Sequence, residues 1–224
     1  VIALADALRA FGVRSVTSRP VRIAVIDSGV YAGHPHVQGV AGGVSLVPGS
    51  NPGDYIDRNG HGTAVCAAIR EKAPSAELIA VKVFDRELAT SARELAGAIE
   101  WAAQHRADFI NLSLGTTNAA HADLLGEALH AAQTAGAAVV AAATQSGLAS
   151  LPGSLEPVIA VELDWECPRD DVIVEGYGPS VIRLRASGYP RPIPGVPPER
   201  NLKGVSFAVA NATGVIARAC GASA

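Results

Sequence analysis

Strand-like apolar runs alternate with helical segments along this chain. Residues 21–26 form a Val/Ile-rich run after Pro20, too apolar for a surface strand and suited to a central parallel strand covered on both faces. Residues 76–84, 108–112, 137–143 and 157–163 read the same way; 44–47 is a shorter candidate, and 172–184 gives one or two strands around Gly176, Tyr177, Gly178 and Pro179. Helices are predicted over 3–11 (stopped by Gly12), 64–71, 92–105, 123–135 (stopped by Gly136) and 208–219. This alternation predicts a three-layer α/β domain, a mostly parallel sheet covered by helices, with any site at the carboxyl edge of the strands.

The length of 224 residues suits a single domain, 1–224, with a full core. A net charge of -3 gives no electrostatic footprint for nucleic acid or an anionic membrane, and 4% aromatics leave no stacking platform for bases. There is no apolar run of 18 residues, so no membrane span is expected. Cys66, Cys167 and Cys220 cannot all pair within one chain and lack metal-ligand spacing. The odd count leans towards a reducing, cytoplasmic compartment, with secretion left open. Cys66 reads as a small buried hydrophobe. His34 and His36 read as loop residues, because no third ligand completes a metal set.

Three stretches carry the chemistry. Asp27-Ser28-Gly29 follows the first central strand and places a carboxylate at its end. Asn59-Gly60-His61-Gly62-Thr63 presents an imidazole at the start of a helix. Gly204-Val205-Ser206-Phe207-Ala208 puts a hydroxyl at a helix N-terminus, where free N–H groups favour developing negative charge. Each alone has a plainer explanation: a turn-initiating Asp, a loop histidine, a capping serine. Together Asp27, His61 and Ser206 supply the orienting acid, general base and nucleophile of a serine hydrolase.

In that order, and with Lys82-Val83, Ile110 to Gly115, 139–147 and Val158 to Val161, the chain resembles the subtilisin-like serine proteases. The resemblance runs over almost the whole sequence. It implies endopeptidase activity through an acyl-enzyme on Ser206, with His61 as base and Asp27 holding the imidazole tautomer, and no cofactor. Leu88, Ala89 and Thr90 on one side, and Ser113, Leu114 and Gly115 on the other, become the edges between which a peptide or protein substrate lies. Ser150 falls near the base of the pocket for the residue before the scissile bond, with an apolar residue as the default occupant. Gln145 takes the place of the family's oxyanion-binding Asn, with the same amide on a longer stem. Val205 and Phe207 replace the family's Thr and Met beside the serine, Ala64 replaces a histidine, and Asn211 stands where a histidine is common. The family loop that often helps hold calcium is shortened between Ile69 and Ala76, so no metal is expected there. The proline-rich stretch 188–200 is expected to wall the leaving-group side or contact a partner. Because relatives commonly continue with further helices, the C-terminal face is a candidate protein-partner or oligomer contact. A second function stays open on the same residues: a fold of this kind that clasps a peptide but cuts weakly or not at all. Acyl transfer through Ser206 is a third.

Overall fold

The computed structural model describes residues 2–16, 18–87 and 89–221. Ten strands occupy Arg22–Asp27 (β1), Gly42–Ser45 (β2), Glu77–Lys82 (β3), Phe109–Leu112 (β4), Ala138–Ala142 (β5), Thr144–Gln145 (β6), Leu148–Ala149 (β7), Val158–Leu163 (β8), Ile173–Tyr177 (β9) and Val181–Ala186 (β10). Five α-helices occupy Leu4–Phe11 (α1), His61–Lys72 (α2), Ala92–Gln104 (α3), Ala122–Thr134 (α4) and Val205–Cys220 (α5). The main sheet runs β2-β3-β1-β4-β5-β8-β10-β9 and is parallel except for β9, which pairs antiparallel with β10.

The alternation along β1 shows how the layers are cemented. Ile23 and Val25 join the core shared with α1, α2 and α5, whereas Ala24 and Ile26 join the core shared with α3 and α4. Both faces being covered is why this strand lacks the polar alternation of a surface strand. Local signals fix the helix ends. Gly12 (φ 92°) closes α1 by donating its N–H to Leu8 and Arg9 carbonyls, and Ser91 with Glu94 forms a reciprocal capping box on α3.

Two helices begin earlier than their apolar periodicity predicts. α2 starts at His61 rather than residue 64, and α5 at Val205 rather than 208. In α2 the reason is a cap supplied from outside the helix by Asp57. Among the described residues no helix is long and apolar enough to cross a membrane.

Candidate active site

Asp27 ends β1 at the carboxyl edge of the sheet and is 1% exposed. Its Oδ1 accepts the Ser28 N–H and the His61 Nδ1–H, each at 2.8 Å. A carboxylate only accepts, so Nδ1 carries the ring proton and Nε2 is left as the free base. Oδ2 is buried without a partner among the described residues. Close approach of α2 to β1 requires Gly62: a Cβ there would run into the Gly29 carbonyl and lie 3.2 Å from Asp27 Oδ1.

Asp57, which lies outside the three sequence motifs, holds this arrangement in place. Its Oδ1 accepts from Asn59 N–H, Gly60 N–H and the Ser28 hydroxyl; its Oδ2 accepts from the Thr63 N–H and hydroxyl. Ser28 Oγ accepts in turn from the Gly62 N–H at 3.0 Å. The Thr63 N–H is an orphan donor of the first turn of α2, and the Asn59 and Gly60 N–H groups belong to the turn leading into it, so one carboxylate ties the start of the helix that carries His61. The available signal was an Asp four residues before the histidine in a turn-rich stretch. Burial works against Asp57 ionising, but the Thr63, Gly60 and Asn59 bonds outweigh it and lower its pKa. Burial likewise works against a charged His61, but the hydrogen bond and charge of Asp27, with the charge of Asp57, outweigh it and raise the imidazole pKa.

Ser206 is the second residue of α5, which begins directly after Gly204 at φ 146°. The Phe207 and Ala208 N–H groups both bond the Gly204 carbonyl, whereas the Ser206 N–H has no partner among the described residues. A free N–H on the residue that carries the hydroxyl is the kind of donor an oxyanion uses. Ser206 Oγ donates to the Ser113 carbonyl at 3.2 Å. It does not bond His61, whose hydrogen-bond partner among the described residues is Asp27. The rings of His61 and Phe207, the residue after the serine, lie 5.8 Å apart. β4 and α5 are tied by a buried chain: Thr213 Oγ1 to Asn111 Oδ1, Asn111 Nδ2 to Ser113 Oγ, and Ser113 Oγ to the Ser206 carbonyl. Asn211, also buried, donates to the carbonyls of Ser187 and Tyr189 and anchors the start of the proline-rich loop under α5.

Ser113, Leu114 and Gly115 follow β4 at the carboxyl edge of the sheet. Thr116 pairs antiparallel with Leu151, and a Cβ on Gly115 would meet Ser150 Oγ and, at 2.5 Å, the Leu151 carbonyl. Ser150 is 2% exposed between this edge and β5, its N–H bonded to the Ala143 carbonyl. Ala89 is exposed and Thr90 half-buried, immediately before the α3 capping box; Leu88 lies outside the described residues. Gln145 is exposed on a two-residue hairpin, β6 with β7, with its side chain making no hydrogen bond among the described residues. The three cysteines are free and buried, and burial pushes the Cys66 thiol up, so none is a ready nucleophile.

The residues between α2 and β3 do not fit the calcium site common in proteins of this resemblance. The guanidinium of Arg70 donates to the carbonyls of Val37 (2.9 Å), Gly39 (3.2 Å), Pro74 (2.9 Å) and Ala76 (2.5 Å). Carbonyl oxygens that a hard cation would need are thereby committed to an internal cation. Among the described residues no three His, Cys, Asp or Glu side chains converge.

The fold and site thus define a parallel α/β domain carrying a buried Asp–His pair and a helix-terminal serine at the carboxyl edge of its sheet. The chain belongs to the Subtilase family, whose model matches residues 18–223. It is 38% identical over 143 residues to a thermostable alkaline protease of Halalkalibacterium halodurans, covering 60% of this chain and 38% of that protein. It is 37% identical over 147 residues to subtilisin Savinase of Lederbergia lenta, covering 62% of this chain and 52% of that protein. The aligned stretch is therefore about two-fifths to one-half of those relatives' length. The fold matches the crystal structure of a cold-adapted subtilisin-like serine proteinase with a TM-score of 0.67 at 22% identity, over 89% of this chain and 74% of that one.

Proposed function

We propose that this domain is a serine endopeptidase that cleaves peptide bonds through an acyl-enzyme on Ser206. The observation that carries the reading is the buried 2.8 Å hydrogen bond from His61 to Asp27, which fixes the imidazole tautomer with Nε2 free to accept a proton. His61 takes the Ser206 proton as Oγ attacks the scissile carbonyl. The Ser206 N–H, joined by the Gln145 amide, meets the oxyanion. His61 then protonates the leaving amine, and water repeats the path to release the acid. The substrate pairs along Ser113 to Gly115, opposite 88–90, with Ser150 at the base of the pocket before the scissile bond. Kinship with named proteases at 37–38% identity supports the same reaction.

The test is labelling by a fluorophosphonate probe, expected in the wild type and lost in Ser206→Ala and His61→Ala. Folded wild-type protein that stays unlabelled would reject the reading. A second reading, peptide binding with weak or no cleavage, is favoured by one observation: the Ser206 hydroxyl bonds the Ser113 carbonyl instead of His61. Unlabelled protein that binds extended peptides would select it. A partner or oligomer contact through the C-terminal face belongs with either reading, and is tested by the sedimentation of the purified domain.

A further inference from the structure

An amide occupies a place where the core pattern calls for an apolar side chain. Asn111 is the third residue of β4, lies beside Val25 of β1 and Val140 of β5, and is 0% exposed. Ile110 and Leu112 belong to the core shared with α3 and α4, so by strand alternation Asn111 faces α5, as its neighbours Val25 and Val140 do. A valine there would need no hydrogen-bond partner, whereas a buried amide left unbonded costs stability. Stability alone therefore does not explain the residue.

The amide settles which way a hydroxyl points. Asn111 Nδ2 donates to Ser113 Oγ at 3.0 Å, and Thr213 Oγ1 of α5 donates to Asn111 Oδ1 at 3.0 Å. A hydroxyl carries one proton. Because Ser113 Oγ accepts from Asn111, its own proton is left for the Ser206 carbonyl, 3.3 Å away. The Ser206 hydroxyl returns the bond to the Ser113 carbonyl at 3.2 Å, so two residues 93 positions apart are clasped by a reciprocal pair. Both bonds exceed the usual O–H···O separation of about 2.7–2.8 Å, so the clasp is weak in itself and takes its direction from the amide behind it. Were that amide reversed, the Ser113 hydroxyl would donate to Asn111 and leave the Ser206 carbonyl. Thr213 opposes the reversal by donating to Oδ1.

Resting on the proposed reaction at Ser206, we propose that Asn111 is a positioning residue for the nucleophile. It touches no reacting atom. Acting through Ser113, it holds the first turn of α5 in register with the end of β4, so that Ser206 Oγ has one defined position from which to turn to His61. The links from Thr213 to Asn111 and from Asn111 to Ser113 are buried, so water does not compete for them and the register is set before a substrate arrives.

The test separates positioning from packing. Asn111→Val introduces the side chain that both strand neighbours carry, and Thr213 keeps a partner because the Val209 carbonyl lies 2.8 Å from its hydroxyl. Folding should be spared, with Tm within about 3 °C of the wild type. Modification of Ser206 by a fluorophosphonate, which has no peptide backbone to pair, should slow about tenfold, and kcat on a peptide nitroanilide should fall by a similar factor with KM little changed. Ser113→Ala keeps the carbonyl and removes the relay. It should slow labelling to the same extent and add nothing when combined with Asn111→Val, and it carries the test if Asn111→Val does not fold. A folded Asn111→Val or Ser113→Ala protein labelled within about twofold of the wild-type rate, losses that multiply in the double variant, or a loss confined to KM would each overturn the role while leaving the endopeptidase reading intact. Wild-type protein that is not labelled at all would instead reject the reaction, and the positioning role with it.

Discussion

The Ser206 hydroxyl donates to the Ser113 carbonyl, 3.2 Å away, on the edge where a substrate backbone is expected to pair. A peptide N–H pairing with that carbonyl competes with the hydroxyl and releases it to turn towards His61. Substrate binding and arming of the nucleophile would then be one event. The expected consequence is that N-methylation of the residue before the scissile bond lowers kcat as well as raising KM, with a loss of about tenfold or more in kcat/KM, the scale of one hydrogen bond. A change confined to KM would show that Ser206 is released independently.

The imidazole gives the pH prediction. His61 works as a base only when neutral, and the hydrogen bond and charge of Asp27 and the charge of Asp57 raise its pKa against the effect of burial. The acid limb of kcat/KM in the free enzyme should therefore lie above the ordinary histidine value of about 6.5. Asp57→Asn removes one raising charge, so the limb should move to lower pH. A limb unmoved by that substitution in folded protein would exclude Asp57 as an electrostatic influence.

The same carboxylate has a stability signature of opposite sense. Its pKa is lowered in the fold, because the bonds from Thr63, Gly60 and Asn59 outweigh burial. Its contribution is therefore complete above the unfolded carboxylate value of about 3.9 and fades as pH falls through the lower folded value. Asp57→Asn should cost on the order of 1–2 kcal/mol at neutral pH and less in acid, measured by urea unfolding at both. An equal cost at both pH values would count against the charge.

Much of this was legible in the residues because strong local physics and tertiary structure agree. The β1 run, buried on both faces, reads as a central parallel strand, and Asp27, His61 and Ser206, each ordinary alone, point to one chemistry in combination. What escaped was set by distant partners. Nothing in the periodicity of 64–71 says that Asp57 extends the helix back to His61. Nor does a lone arginine in a helix announce that Arg70 gathers carbonyls from 37–39 and 74–76. The hairpin carrying Gln145 was missed because each strand is two residues long, below the length at which alternation is visible.

Arg70 makes metal dependence testable. With four carbonyls bonded to one guanidinium, thermal unfolding should be unchanged, within about 1 °C, by EDTA or added calcium, since a ligand that binds only the native state must shift the midpoint. Arg70→Leu leaves those carbonyls without that donor and should cost on the order of 3 kcal/mol, roughly 6–12 °C in Tm. A large fall in Tm with EDTA in the wild type, or rescue of Arg70→Leu by calcium, would show that a cation site exists after all.

The last prediction concerns Gln145. It sits at the end of β6, and the connecting Ser146 and Gly147 have φ of 51° and 78°, the pair of positive values of a type I′ turn. The hairpin leaves β5 directly and returns at Ser150, whose N–H bonds the Ala143 carbonyl. Gln145 is thus held on a short lever anchored at Ser150, exposed and with its amide uncommitted among the described residues. An amide with no partner in the resting protein is available to a charge that appears only during reaction. If it donates to the oxyanion, Gln145→Ala should lower kcat about 10²-fold with little change in KM, because the contact is made mainly in the transition state. Gln145→Asn shortens the reach by one methylene on the same hairpin. A rate above the wild type would mean the longer amide is imperfectly placed, and a rate below it that the hairpin is set back to suit glutamine. A Gln145→Ala enzyme with wild-type kcat, under conditions where acylation is shown to be rate-limiting, would leave the Ser206 N–H as the sole donor identified and remove Gln145 from the site.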